Sequence, residues 1–191
     1  MIIRSLSATL AIATIGATAA VAQQNPPQPQ MRIEAPKQIP NPYGAYEFLI
    51  GDWYSKPSGG PDNRIHQSFR WGTNKASILY TTYTSLNGAP ESVHFEGMAV
   101  WNGKTKALDY VVALEPGSGG QEQGTIHAEP DGSIVRDVAF TGPDGRTGTF
   151  RQRFWKDESG AVATSLMRKT DKGWEPNFPG SEKIVMVRRQ S

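Results

Sequence analysis

From Ser55 onward, apolar and polar residues alternate in short runs, and turns bearing glycine or proline separate the runs. Stretches rich in Val, Ile, Thr, Tyr, Phe and Trp predict strands over 64–71, 77–86, 92–101, 105–114, 122–128, 134–141, 147–156, 161–170 and 183–189, with a further short strand from Trp53. The turn signals between them are Pro57-Ser58-Gly59-Gly60, Asn87-Gly88, Asn102-Gly103, residues 116–120, Pro130-Asp131-Gly132, Pro143-Asp144-Gly145, residues 157–160 and Asp171-Lys172-Gly173. Glycine and asparagine accept the positive φ of tight hairpins, and proline presets a first corner. No long helical period interrupts the series, which argues against a layered α/β sheet. The expectation is an all-β protein, an antiparallel up-and-down β-barrel of about ten strands, because an open sheet that wide leaves two unpaired edges.

The hairpin around Asn102-Gly103 shows what the wall should look like. A two-residue turn sets Trp101 opposite Lys104, and so pairs Ala99 with Lys106, Gly97 with Leu108, Phe95 with Tyr110 and Val93 with Val112. Phe95 and Trp101 then share a face with Leu108, Tyr110 and Val112, while His94, Glu96 and Met98 point the other way beside Asp109. One apolar and one mixed face suit a wall around an interior.

Residues 42–50 predict a short N-terminal helix that Gly51 ends as a C-terminal cap, after which Asp52-Trp53-Tyr54 starts the first strand. Through Gly51-Asp52-Trp53 the chain resembles the calycin superfamily of lipocalin-like barrels. It is more similar still to bacterial lipocalin-like and nitrobindin-like barrels, whose domains open with the Phe-Leu-x-Gly-x-Trp read here at Phe48–Trp53. The similarity covers residues 43–190, but its sharp motif is confined to these six positions. In lipocalins a late-strand arginine stacks on the motif tryptophan, and Arg188 is the matching residue; such a cation–π contact contributes ~1 kcal/mol. Gly51, Trp53 and Arg188 therefore form a structural signature, silent about cargo.

Ahead of the barrel, residues 1–22 have the form of a secretory signal peptide. Arg4 supplies the charge, residues 5–19 are small and apolar, and Ala20-Val21-Ala22 supplies the cleavage pattern. Ser, Thr and Gly dilute the run below what a stable membrane anchor needs. The chain holds no cysteine, so there is no lipid-attachment site after it and no disulfide support. Residues 23–42 contain six prolines and read as a proline-rich linker, leaving 43–191 as the barrel domain. The expected destination is export, to the periplasm or beyond. The remaining chain of about 170 residues is enough for one domain with its own core. A net charge of +2 on the full chain argues against nucleic acid as a partner.

The candidate chemistry lies on the inner wall. Phe95, Tyr110, Phe140 and Phe154 are expected to line a cavity for a small hydrophobic or amphipathic molecule. Arg136 shares a face with Ile134, Val138 and Phe140, and Arg168 shares one with Leu166. An arginine on an apolar wall must be paired. It either meets an anionic head group, as in fatty-acid-binding barrels, or forms an internal ion pair with Glu96, Asp109 or Asp137; the third alternative is that it faces outward.

His66, His94 and His127 fall on three separate strands, and only His94 and Glu96 have chelating spacing, on the outer face. Nitrobindin-like barrels hold haem through a late histidine, and none follows His127 here. No metal site and no cofactor is therefore expected. The motifs of nucleophilic serine hydrolases and phosphate-binding loops are missing, as is any paired acid and base. The reading is a ligand-binding barrel. A structural or stress-related domain without a ligand, and a cofactor-free isomerase, are its alternatives.

Overall fold

The computed structural model describes residues 41–55, 64–115 and 117–188. The expected signal peptide and all but the last two residues of the expected linker lie outside them, as do the Pro57–Gly60 turn, Pro116 and residue 189. Eleven strands follow in order: β1 (Gly51–Ser55), β2 (Arg64–Trp71), β3 (Ile78–Ser85), β4 (Ser92–Asn102), β5 (Ala107–Leu114), β6 (Gln121–Ala128), β7 (Ile134–Thr141), β8 (Thr147–Lys156), β9 (Val162–Thr170), β10 (Gly173–Pro176) and β11 (Ile184–Arg188). Each strand from β1 to β9 pairs antiparallel with the next except across the turn of the ring, where β11 bridges β9 back to β1. The result is a closed ten-stranded antiparallel β-barrel, which leaves no free edge among those ten strands.

The strand β10 was not foreseen. It is four residues long and pairs only with Met167–Thr170, the far half of β9. The near half, Val162–Thr164, pairs with β11 through three residue pairs. Leu166, between the two, is held by loop residues instead: its amide donates to the Ser181 carbonyl, and its own carbonyl accepts from the Asn177 amide and the Ser181 hydroxyl.

The β4–β5 register differs from expectation. Phe95 faces Leu114, Gly97 faces Val112, Ala99 faces Tyr110 and Trp101 faces Leu108. The cause is Asn102, whose side-chain oxygen accepts from the amides of Lys104 and Thr105 and so widens the turn to Gly103–Lys106. Lys106 takes a positive φ of 59° to rejoin the strand. Because the slip is an even number of residues, the side chains from Phe95 onward keep their face. His94, expected on the outer face, is the exception, turned to the interior where β4 bulges against Thr82 and Tyr83. Phe95, Tyr110 and Val112 remain inward, and Met98 and Val111 remain exposed on the outside.

Two glycines let the wall bend. A methyl group on Gly124 would stand 1.9 Å from the Asp137 carbonyl oxygen, and one on Gly97 would stand 2.1 Å from that of Val111. Both sit opposite large inward residues of β5, Tyr110 and Val112 respectively.

One end of the barrel is plugged. The expected short N-terminal helix is present as a 3-10 helix over Gly44–Leu49, shorter than residues 42–50, and Gly51 is the first residue of β1 and not its cap. Tyr43, Tyr46 and Leu49 insert their side chains into the core. The Tyr43 hydroxyl donates to the Ala76 carbonyl and accepts from the Trp101 amide, and the Tyr46 hydroxyl donates to the Ile126 carbonyl. Behind the plug, Trp53, Phe69, Ile78, Leu108, Ile134, Phe154 and Val162 are packed and buried. Each such side chain contributes ~1.5–3 kcal/mol relative to exposure. Trp53 donates its indole N–H to the Leu49 carbonyl and lies opposite Arg188, whose guanidinium sits 5.5 Å from the indole centroid. The first and last strands thus meet at the signature residues. Among the described residues, no helix is long and apolar enough to cross a membrane.

Candidate functional site

The other half of the barrel is not filled. A cavity of about 250 Å3 opens there, bounded on its apolar side by Ile65, Phe95, Phe140, Phe150 and Leu166. A smaller pocket of about 60 Å3 adjoins it through Gln67, Gln152 and Leu166, and reaches Phe178 and Met186 of the last segment. Phe140 and Phe150 meet edge to face with centroids 5.9 Å apart, which leaves the space beside them open. A bulge between Thr82 and Tyr83 carries His94 to the cavity wall, its Nδ1 3.4 Å from Glu115.

Between this cavity and the packed end lies a belt of inward polar groups, one or two from each of seven strands. Gln67 of β2 and Thr82 of β3 both donate to the Tyr80 hydroxyl, at 2.8 and 2.7 Å. Arg136 of β7 donates through Nη1 to the Tyr110 hydroxyl at 2.6 Å, and the same nitrogen stands 3.4 Å from Glu122 Oε2 of β6, close enough for an ion pair but not aligned for a hydrogen bond. The guanidinium also lies over the rings of Tyr80 and Tyr110, at 5.3 and 5.0 Å. Gln152 of β8 donates its amide to the Thr164 hydroxyl at 3.0 Å. Arg136 and Glu122 are both buried, with side-chain exposures of 7% and 6%.

This belt has a marked electrostatic character. Burial pushes the Tyr110 hydroxyl well above the usual phenol range, although the Arg136 charge beside it acts in the opposite direction. Burial also acts to discharge Arg136, but the fields of Tyr110, Tyr80 and Glu122 outweigh it and hold the guanidinium charged. Tyr46, under the packed end, is pushed up to about 12 by burial. The Tyr110 phenol is therefore neutral and the Arg136 guanidinium charged at neutral pH.

The residues singled out from sequence divide between the two halves. Arg136, Phe95 and Phe140 line the cavity. Tyr110 and Phe154 lie in the packed core, Tyr110 touching the cavity's residues through Arg136 and Phe154 edge-on to Phe69 at 5.7 Å. Arg168 is exposed near the end of β9, 3.9 Å from Glu175 of β10. The acid beside Arg136 is Glu122, not Glu96, Asp109 or Asp137. Asp137 is taken by Arg151 in a two-bond pair on the outer wall, and Asp109 accepts from Asn102. Each histidine faces a carboxylate: His66 faces Asp52 and Glu91, His94 faces Glu115 and His127 faces Glu129.

Glu122, Gln152, Gln67, Tyr80 and Phe150 were not anticipated as site residues. A signal for Glu122 exists, since Gly124 and Ile126 share its face and mark that face as the inner one. No family model matches the chain, and no curated protein matches it in sequence. The geometry defines a class and no more: a closed antiparallel barrel, plugged at one end, with an apolar chamber above a charged but self-neutralised floor.

Proposed function

We propose that this protein is an exported carrier of the calycin type, which takes a small, largely apolar molecule into the open half of its barrel. The observation that carries the reading is the contrast between the two halves. Rings in the plugged half fill the interior, whereas Phe95, Phe140 and Phe150 surround space. At about 250 Å3 the chamber is near the ~300 Å3 lower bound of common ligand pockets, so the cargo is a single or fused ring system or a short chain. Membership of the calycins is supported by the Phe48–Trp53 motif and by the Trp53–Arg188 contact, which joins the ends of the barrel as the resemblance requires. Export is supported by the charge, the apolar run and the cleavage pattern of residues 1–22.

Native mass spectrometry of protein purified from its own host tests the carrier. Added mass that disappears on denaturation is the expected result. A clean unliganded mass in every preparation, together with no uptake of a neutral apolar dye, would overturn the carrier in favour of a purely structural barrel. Sequencing of the mature protein tests export, with Gln23 as the expected first residue.

A further inference from the structure

We infer that the molecule carried in this chamber bears an uncharged head group, one that offers hydrogen-bond donors as well as an acceptor. The inference rests on the carrier reading and specifies its ligand class. Four buried side-chain polar atoms lack a hydrogen-bond partner among the described residues: Ser68 Oγ, Glu122 Oε2, Arg136 Nε and Gln152 Oε1. Ser68 belongs to the outer face of β2, in register with Asp52. The other three belong to residues that line the chamber. Unpartnered buried polar atoms are rare in folded proteins, and three of them on residues that line one cavity mark a place where a guest that settles against the floor supplies partners from outside the chain.

The charge of the floor excludes the ionised head groups. Glu122 and Arg136 are opposite in sign, buried together and within ion-pair distance, so the floor has no net charge to offer. A carboxylate or phosphate brought to Arg136 would stand beside the Glu122 carboxylate in a poorly screened interior, and an ammonium brought to Glu122 would stand beside the guanidinium. The fatty-acid mode considered for Arg136 from sequence alone is thus closed by an acid on the neighbouring strand.

The open valences then give the pattern of the head. Arg136 Nε–H is a donor in need of an acceptor. Glu122 Oε2 and the Gln152 carbonyl oxygen are acceptors in need of donors, since Gln152 directs its amide to Thr164. One acceptor and two donors on a neutral group describe a primary carboxamide; an alcohol satisfies two of the three. The rings of Phe95, Phe140 and Phe150 receive the apolar remainder.

Titration of the folded full-length mature protein with naphthalene, naphthalene-2-carboxamide and naphthalene-2-carboxylate at neutral pH, followed by calorimetry and NMR, separates the possibilities. Carboxamide binding at least tenfold tighter than either of the others is expected. Carboxylate binding as tightly as carboxamide, or carboxamide no tighter than naphthalene, overturns the head-group inference while leaving the carrier intact. No binding by any of the three overturns the carrier itself and the inference with it. Glu122→Gln is expected to raise carboxylate affinity at least tenfold, because it frees the guanidinium. Gln152→Met is expected to weaken the carboxamide severalfold and leave naphthalene unchanged; an unchanged carboxamide affinity counts against the inference.

Discussion

Gly51 lies directly beneath the guanidinium of Arg188: a methyl group on its Cα would come within 3.0 Å of Nε and of one terminal nitrogen. The glycine also has φ of +141°, a conformation that other L-residues rarely take. The arginine uses the space to donate to the Ile50 carbonyl at 2.9 Å while covering Trp53. The signature glycine therefore serves the last strand as much as the first. Gly51→Ala should lower unfolding stability in urea by ~1–3 kcal/mol from backbone strain alone. Gly44→Ala, whose added methyl meets nothing within 4 Å, should be nearly neutral and serves as the control.

Gly124 gives a sharper version of the same contrast. Its missing side chain is replaced by the Asp137 backbone, which cannot rotate away as a side chain could. Gly124→Ala should disrupt the β6–β7 pairing opposite Tyr110, with loss of cooperative thermal unfolding or a fall of more than ~2 kcal/mol. A variant that melts like the parent would show that the strands do not approach so closely.

The buried Arg136–Glu122 pair should behave asymmetrically under substitution. Arg136→Met leaves the Glu122 carboxylate buried beside no cation and should cost ~3–5 kcal/mol. Adding Glu122→Gln to it should restore part of that loss, with a coupling of ~0.5–3 kcal/mol in a double-mutant cycle read by urea unfolding. Strict additivity would mean that the two side chains do not sense each other.

Asp52 sets part of the acid limit. Burial acts to raise its carboxyl pKa, but the neighbouring Ser68 hydroxyl, the bond to His66 at 3.1 Å and the Arg70 charge hold it below the ordinary carboxylate range. A group with a folded pKa below its unfolded value of ~3.9 stabilises the fold above that pH and ceases to do so as pH falls through the folded value. The stability gap between the parent and Asp52→Asn should therefore be open at about pH 6 and close as pH drops below ~4. Unfolding midpoints measured across that range would expose a gap that instead widens in acid.

The barrel was readable from the chain because its cause is local. Strands from 64–71 to 147–156 follow apolar alternation and turn residues, and those signals are strong where hairpins are short. The register of β4 on β5 was not readable, since it depends on the Asn102 side chain folding back onto Lys104 and Thr105. The short helix was readable, but its role as a plug was not, because Tyr43 and Tyr46 are placed by bonds to Ala76, Trp101 and Ile126, far away in sequence. For the chamber, alternation found the inward face of Arg136 but not its depth. Whether an inward ring lies above or below the polar belt depends on the stagger of all ten strands, which sent Phe140 to the cavity and Phe154 to the core. Glu122 escaped notice because an acid between two glutamines looks like solvent-facing sequence until its partner strand is known.

The divided edge of β9 gives the cylinder a preferred place to part. Only three residue pairs hold β11 there, against eight between β2 and β3, and on that edge Leu166, among the described residues, bonds to Asn177 and Ser181 of the loop and to no strand. Leu166 is also a wall of the chamber, and Phe178 backs the small pocket behind it. Releasing that short strap would bare the chamber from the flank while every long hairpin stays zipped. Local opening is therefore expected first at the loop of residues 177–181, which lies against that wall.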